Sequence, residues 1–407
     1  MNKFCRVDGS ELIPINDFGL QPLGNGFLQP NQTNDEYFFS MQTGFSESSL
    51  MFQLLDQPNP EQMFHDNYAF FSSTSTQMSL HFKKFADEIL ESKFVKDDPF
   101  IIELGCNDGI MLKHIANKKI RHLGIEPSLN TAREANKVGV ETLSEFFSTE
   151  LANKVQSQHG QADIIFSANV MCHIPDINDI ANGISTLLKT TGVLVFEDPY
   201  LGDVINKTSY DQIYDEHVFL FSALSVSNLF SKYGMELINA EPQKTHGGSM
   251  RYTLAHKGAY PVEKNVEDVL KSELKLGLDK IATYKKFDDN VRKSRSDLIQ
   301  LLQEIKSQGK SIAGYAATSK STTILNYCNI GNDLIEYISD TTPLKHNTLS
   351  PGMHIPVLPY QEFLDRKPDY AFLFAWNHSD EILAKERSYI DSGGKFITHV
   401  PTVDVLE

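Results

Sequence analysis

Apolar positions along the chain fall into two recurring patterns. Residues 1 to about 75 are rich in Gly, Pro, Asn, Gln and Phe with little helical period, which predicts a small loop-rich module of short strands and turns. Behind the hydroxyl run Ser72-Ser73-Thr74-Ser75, the residues Met78, Phe82, Phe85 and Ile89 recur at helical spacing, so a helix with a polar, capped entrance is expected there. From residue 100 short apolar runs (Phe100 to Leu104, Leu123 to Ile125, Ile164 to Phe166, Val193 to Phe196) alternate with helical stretches such as Ile177, Ile180, Ile184, Leu187 and Leu188. That alternation predicts a doubly wound parallel sheet. Residues 264 to 308 are charged and free of proline, with apolar positions such as Val266, Leu270, Leu298 and Leu302, and predict one or two connecting helices. The alternation then resumes at Ile312 to Ala317, Leu334 to Ser339, Tyr370 to Phe374 and Phe396 to Val400, predicting a second open sheet. The expected fold class is α/β: a small module over 1–75, a Rossmann-like domain over 76–258, and connecting helices with a second Rossmann-like domain over 259–407.

Composition narrows the partners. The chain has 407 residues and a net charge of −16 with no dense Lys/Arg run, which disfavours nucleic acid and anionic lipid surfaces. The longest apolar runs, such as Ala371 to Trp376, fall far short of the ~20 residues of a spanning helix, and Met1 to Cys5 hold no apolar signal core, so a cytoplasmic protein is expected. Four cysteines (Cys5, Cys106, Cys172, Cys328) lie far apart in no disulfide or zinc pattern.

Four stretches carry candidate chemistry. Ile101 to Gly109 reads as an apolar strand entering a glycine turn, with Ile110, Leu112 and Ile115 at helical spacing behind it. Such a turn brings bare backbone close to a nucleotide-like ligand. A dinucleotide fingerprint needs a second glycine where Asn107 stands, so the looser E-x-G-x-x-x-G turn of S-adenosylmethionine enzymes (Glu103, Gly105, Asp108 and Gly109 included) fits better. Glu126 closes the next strand at about the 20-residue spacing at which a carboxylate takes ribose hydroxyls. Second, Tyr210 to Phe219 packs two tyrosines, three acids and a histidine between apolar positions, which suits proton chemistry; the same residues also suit a helix start with solvated acids. Third, His246-Gly247-Gly248-Ser249-Met250-Arg251 reads first as a hairpin turn, and also offers bare backbone with a histidine and an arginine for anionic oxygens. Fourth, Thr318 to Thr323, with Lys320 among its hydroxyls, and Asp340 close successive strands of the last domain; they suit a phosphate or an ordinary capped helix. Trp376-Asn377-His378 is equally ambiguous.

Together these stretches resemble the nucleotide-sugar C-methyltransferases of deoxysugar biosynthesis, which place a methyl on carbon 3 of a dTDP-linked 4-keto sugar. The resemblance runs nearly end to end. It rests on Leu20 to Asn25, Tyr68 with Ser72 and Ser73, the 103–109 turn, Gly124 to Ser128 with Pro127, Asn169-Val170 with His173-Ile174, Glu197 to Tyr200, 210–217, the His246 loop, and Pro351-Gly352 to Trp376-Asn377. It implies a zinc module, a central S-adenosylmethionine domain and a C-terminal domain that helps hold the sugar nucleotide. The family's tyrosine-x-glutamate-histidine motif falls on Tyr214, Glu216 and His217, with Tyr68 as a further active-site tyrosine. Pro127 and Asn169 join the cofactor set, and Ser72, Ser73, Glu197, Tyr200, His246, Arg251, Lys320, Asp340 and Asn377 the substrate set.

Two departures stand out. Where the family carries two C-x-x-C pairs, this chain has Cys5 with Asp8, and Ser46 with Ser49, so no zinc is expected. Where the family has a histidine, Asp215 adds a negative charge beside the expected base. The implied reaction has His217 remove the proton on carbon 3, Glu216 orient His217, and Tyr214 stabilise the enolate oxygen. The alternatives are a sugar O-methyltransferase and a non-catalytic sugar-nucleotide-binding protein. The expected partner is a nucleotide-linked keto-sugar, and the expected assembly a monomer or weak homo-oligomer.

Overall fold

A computed structural model describes residues 3–59 and 76–406. Tyr68, Ser72, Ser73 and the predicted helix cap lie outside the described residues. The central sheet has seven strands in the order Met235–Gln243, Ser249–His256, Leu188–Pro199, Ala162–Ala168, Phe100–Leu104, Arg121–Ile125 and Thr142–Leu143. Every residue of Phe100–Leu104 is buried, as a parallel strand covered on both faces must be. Alternate side chains serve opposite cores: Ile102 and Leu104 pack with Leu151, Val155 and Ile184, whereas Ile101 packs with Phe82, Phe85 and Ile89 of the helix Thr76–Glu91.

One strand breaks the expected parallel order. Ser249–His256 runs antiparallel to both Met235–Gln243 and Leu188–Pro199, because residues 244–248 form a hairpin connection too short for a crossover helix. The helix expected straight after the glycine turn is also shorter than its apolar spacing suggests. Gly105, Asn107 and Gly109 all take positive φ, so the chain makes successive turns before a single helical turn at Lys113–Ala116.

The N-terminal segment joins strands and turns as expected, and its first two strands run to ten and eight residues. Ile13–Pro22 pairs antiparallel with Phe38–Phe45, which pairs with Phe52–Leu54. Register shifts between Pro14 and Leu20 interrupt the two-residue period, which is why the sequence pattern predicts strands here without placing them. The fourth strand of this sheet is Phe219–Leu220, two residues beyond His217. Phe45 and Phe52 in turn stack on Tyr284 of the long helix Ile281–Ser307, with ring centroids 4.0 and 5.6 Å away. The N-terminal sheet thus braces the candidate catalytic stretch from behind.

The last sheet also has seven strands. Its centre, Ile312–Tyr315, pairs in parallel with Ile338–Asp340 and with Tyr370–Leu373, and antiparallel strands close both edges. The two helices Lys264–Leu276 and Ile281–Ser307 connect it to the central domain. Among the described residues no helix is long and apolar enough to cross a membrane.

Candidate active site

In an open α/β sheet, ligands settle beyond the carboxyl ends of the strands where the strand order reverses. In the central sheet that point lies between Phe100–Leu104 and Ala162–Ala168. A cavity of about 440 Å³ opens there, within the size range of small-molecule sites. Its walls come from all three parts of the chain: Asn25, the Gly105 turn with Glu126, the Tyr214–His217 stretch, and Lys320 with Asn377.

The first wall is shaped by backbone. Gly105 has φ +66°, and a Cβ there would overlap Val170, so only glycine allows the turn to pass this close. Glu126 accepts the Asn107 amide on one carboxylate oxygen and the Ser128 amide on the other, both at 2.9 Å. Each oxygen retains a lone pair for a ribose hydroxyl. Burial pushes the Glu126 carboxyl up, while those amide bonds oppose the shift. Pro127 and Asn169 line the same wall, with Ile125, Phe146 and Phe147 as its apolar slot. Glu103, Asp108 and Gly109 do not line the cavity. Glu103 is fully enclosed beneath the turn, where burial raises its carboxyl well above the usual range, and Gly109 packs against Ala135 and Val140.

The second wall holds the proton chemistry. His217 Nδ1 lies 2.6 Å from the Gln212 carbonyl oxygen, and a carbonyl only accepts, so Nδ1 carries the hydrogen. Nε2 is therefore the basic nitrogen, and it receives the Tyr214 O–H at 2.9 Å. Burial, reinforced by His173, His246 and Lys320, holds the His217 pKa well below 6.5, which keeps the ring neutral. The expectation that Glu216 orients His217 is corrected here. Both ring nitrogens have other partners, and Glu216 Oε1 instead accepts from Asn25 at 2.8 Å. Asp215 does not add the expected charge either: burial first, then Glu216, raises its pKa to about 8, and its Oδ1 accepts the Gly24 amide at 2.9 Å.

The hairpin turn supplies His246, whose Nε2 accepts from Asn169 Nδ2 at 3.0 Å, so the turn is at once a hairpin and a cavity wall. On the C-terminal side, Thr318 caps the helix Ser319–Tyr327. Lys320 there is half-buried and donates to Asn377 Oδ1 at 3.1 Å.

Four proposed substrate contacts lie elsewhere. Glu197 accepts from His81 (2.7 Å) and Thr245 (2.8 Å) on Oε1 and from Arg251 on Oε2, and Arg251 reaches Glu88 at 2.5 Å. This network ties the Thr76–Glu91 helix to two strands and leaves neither Glu197 nor Arg251 on the cavity. Tyr200 turns its hydroxyl to Glu273 at 3.0 Å. Asp340 accepts the Ala317 amide and lines a separate cavity of about 290 Å³ between the strand ends of the last sheet.

Among the titratable side chains that line the cavity, three escaped assignment from sequence: His173, Lys345 and His378. His173 was visible as a matched position after a strand end, but its role needed the fold: its ring stacks on His217 with centroids 5.3 Å apart. Cys172, His173 and His217 have ligand atoms within 4.8 Å of one another. They make a poor metal site, since both His217 nitrogens are engaged and burial raises the Cys172 thiol well above its usual range. At the N-terminal positions, Cys5 Sγ lies 3.2 Å from Ser49 Oγ, and Ser10 bridges Asp8 (2.7 Å) and Ser46 (2.8 Å).

A sheet of this strand order, with a glycine turn leaving its first strand and an acid closing its second, is the frame of an S-adenosylmethionine-dependent methyltransferase. Residues 77–240 match the family described as "Methyltransferase domain", 244–401 "C-methyltransferase C-terminal domain", and 5–64 "Putative zinc binding domain". The C-methyltransferase NovU of Streptomyces niveus is 30% identical over 405 residues, 99% of this chain and 96% of that protein. The ubiquinone biosynthesis O-methyltransferase of Acinetobacter baylyi is 32% identical over 100 residues, 24% of this chain and 42% of that one. The solved magnesium protoporphyrin IX methyltransferase of Synechocystis PCC 6803 with bound SAH aligns at TM-score 0.35 and 11% identity, covering 44% of this chain and 83% of its own. The chain belongs to the S-adenosylmethionine-dependent C-methyltransferase family.

Proposed function

We propose that the chain methylates carbon 3 of a nucleotide-linked 4-keto-deoxysugar through an enolate. The observation that carries this reading is the Tyr214–His217 pair, its Nδ1–H pinned by Gln212, facing the same cavity as the Gly105 turn. Gly105, Asn107 and Glu126 would hold the cofactor, which supplies an electrophilic methyl group when bound. Tyr214 O–H covers the His217 lone pair, and a ketone oxygen entering the cavity competes for that hydroxyl. Its transfer to the ketone polarises the carbonyl and uncovers Nε2 for the proton on the adjacent carbon. Lys320, Lys345 and the amides at the start of the Ser319–Tyr327 helix suit the diphosphate. The 290 Å³ cavity, which shares His378 with the main one, suits the nucleoside.

The test is mass spectrometry of dTDP-, GDP-, CDP- and UDP-linked 4-keto-6-deoxy sugars after incubation with methyl-labelled S-adenosylmethionine. Label on a sugar carbon, with solvent deuterium exchange at that carbon, supports the reading. A label on oxygen without exchange makes the chain an O-methyltransferase, and cofactor binding with no labelled sugar favours a binding protein.

We also propose that the N-terminal module folds without zinc. One thiol, one carboxylate and two hydroxyls at the ligand positions bond to each other or to Ser10, and serine hydroxyls are not ligands of structural zinc. About one equivalent of zinc in metal analysis of the purified protein would overturn this.

A further inference from the structure

We infer that Trp376 and Asp211 form a latch that couples ligand seating on the C-terminal domain to the setting of the His217 base; this rests on the proposed reading of His217. Trp376 Nε1–H donates to Asp211 Oδ2 at 2.5 Å. Asp211 is the middle residue of the short turn Tyr210–Gln212, whose last residue, Gln212, pins His217 through its carbonyl at 2.6 Å. The Gln212 side-chain amide donates to the His246 carbonyl, and the Trp376 ring lies so close to Gly247 that a Cβ there would overlap it. One indole therefore touches both the turn that pins His217 and the loop that bears His246.

Its other side meets the C-terminal wall. Lys320 Nζ sits 5.4 Å from the Trp376 ring centroid and donates to the adjoining Asn377. An anion drawn to Lys320 and Asn377 acts on groups that touch the same indole. Asp211 is fully buried, its Oδ2 also faces His399 Nε2 at 3.6 Å, and its Oδ1 has no hydrogen-bond partner among the described residues. Burial works against the carboxylate, but His399 first, then Lys320 and the indole N–H, hold its pKa below the usual value, so the Trp376 bond onto this turn joins the same group that senses Lys320.

The groups facing His217 are Tyr214, His173, His246, Lys320 and the Gln212 carbonyl, and of these the carbonyl raises its basicity. Trp376→Phe keeps a ring and removes the N–H. It is expected to lower kcat about tenfold to hundredfold, leave the KM for S-adenosylmethionine unchanged, and move the acid limb of kcat/KM to lower pH. Asp211→Ala should behave alike, and Asp211→Asn, which still accepts the indole hydrogen, should regain most of the lost kcat. A folded Trp376→Phe protein with wild-type kcat and pH profile overturns the latch. Because Trp376 is the single tryptophan of the chain, its fluorescence gives a readout independent of turnover. Adding dTDP or UDP should shift the emission of the wild type and shift it less in Asp211→Ala; equal shifts overturn the latch. If the wild type methylates no sugar, the reading of His217 fails while the fluorescence comparison still judges the coupling.

Discussion

Two buried groups of titratable side chains in the central domain use similar residue types toward opposite ends. Around Glu197, both carboxylate oxygens are filled by His81, Thr245 and Arg251, the guanidinium also lies 3.7 Å from the Phe85 ring centroid, and those partners draw the Glu197 pKa down to about 2 despite burial. Around His217, burial and neighbouring cationic or imidazole groups hold the ring neutral, and its basic nitrogen is covered only by a tyrosine hydroxyl that a substrate can take. A cluster whose lone pairs are all spent on protein builds structure, while one that faces a cavity with an exchangeable partner can react.

The widest separation between the two clusters is expected from His217→Asn. It should lower turnover by about 10²- to 10⁴-fold, the usual worth of a positioned base, with calorimetric S-adenosylmethionine binding intact. Turnover near the wild-type value would dissolve the distinction. The same contrast sharpens in the pH profile. Because the folded pKa of His217 lies well below 6.5, the base form persists as pH falls, so the acid limb of kcat/KM should appear below pH 6.5. A limb at or above that value would mean that the essential base is another group.

Arg251→Met should do the reverse. Removing the guanidinium strands the buried Glu197 carboxylate, an effect of about 3 kcal/mol or more on stability by urea titration, while kcat of the folded fraction stays at the wild-type value. A selective loss of kcat or substrate affinity would return Arg251 to the substrate site.

This contrast also explains what was legible in the sequence. Residue types and spacing located the Gly105 turn, Glu126 and the Tyr214–His217 stretch, because each pairs a local backbone pattern with its chemistry. The family resemblance led to Glu197 and Tyr200, and the residue types of the His246 turn to Arg251; their polar groups look functional until tertiary partners are known, and His81, Glu88 and Glu273 lie far away along the chain. Alternation of strands and helices revealed both large sheets, whereas the reversed strand Ser249–His256 was legible only through the hairpin reading of the His246 turn, because its direction is set by a five-residue connection rather than by its apolar content. The orientation of His217 by a backbone carbonyl was invisible for a simpler reason, since every residue carries the same carbonyl.

Asp215 stands between the two clusters and gives the smallest test. Like Glu197 it is buried and bonded to protein, accepting the Gly24 amide; unlike Glu197 it has no cation, so burial and the adjacent Glu216 raise its pKa to about 8 against an ordinary 3.8. Between those values the folded state binds the proton and the unfolded state does not. The stability contributed by protonated Asp215 is thus complete below pH 3.8 and is lost as pH rises toward 8, at a slope of at most about 1.4 kcal/mol per pH unit. Asp215→Asn keeps an oxygen for the Gly24 amide and removes the titration. Its urea midpoint should therefore gain on the wild type from pH 6 to 8 and hold a constant lead above 8. Parallel curves across that range would mean that Asp215 stays ionised, and that the negative charge lies beside His217 after all.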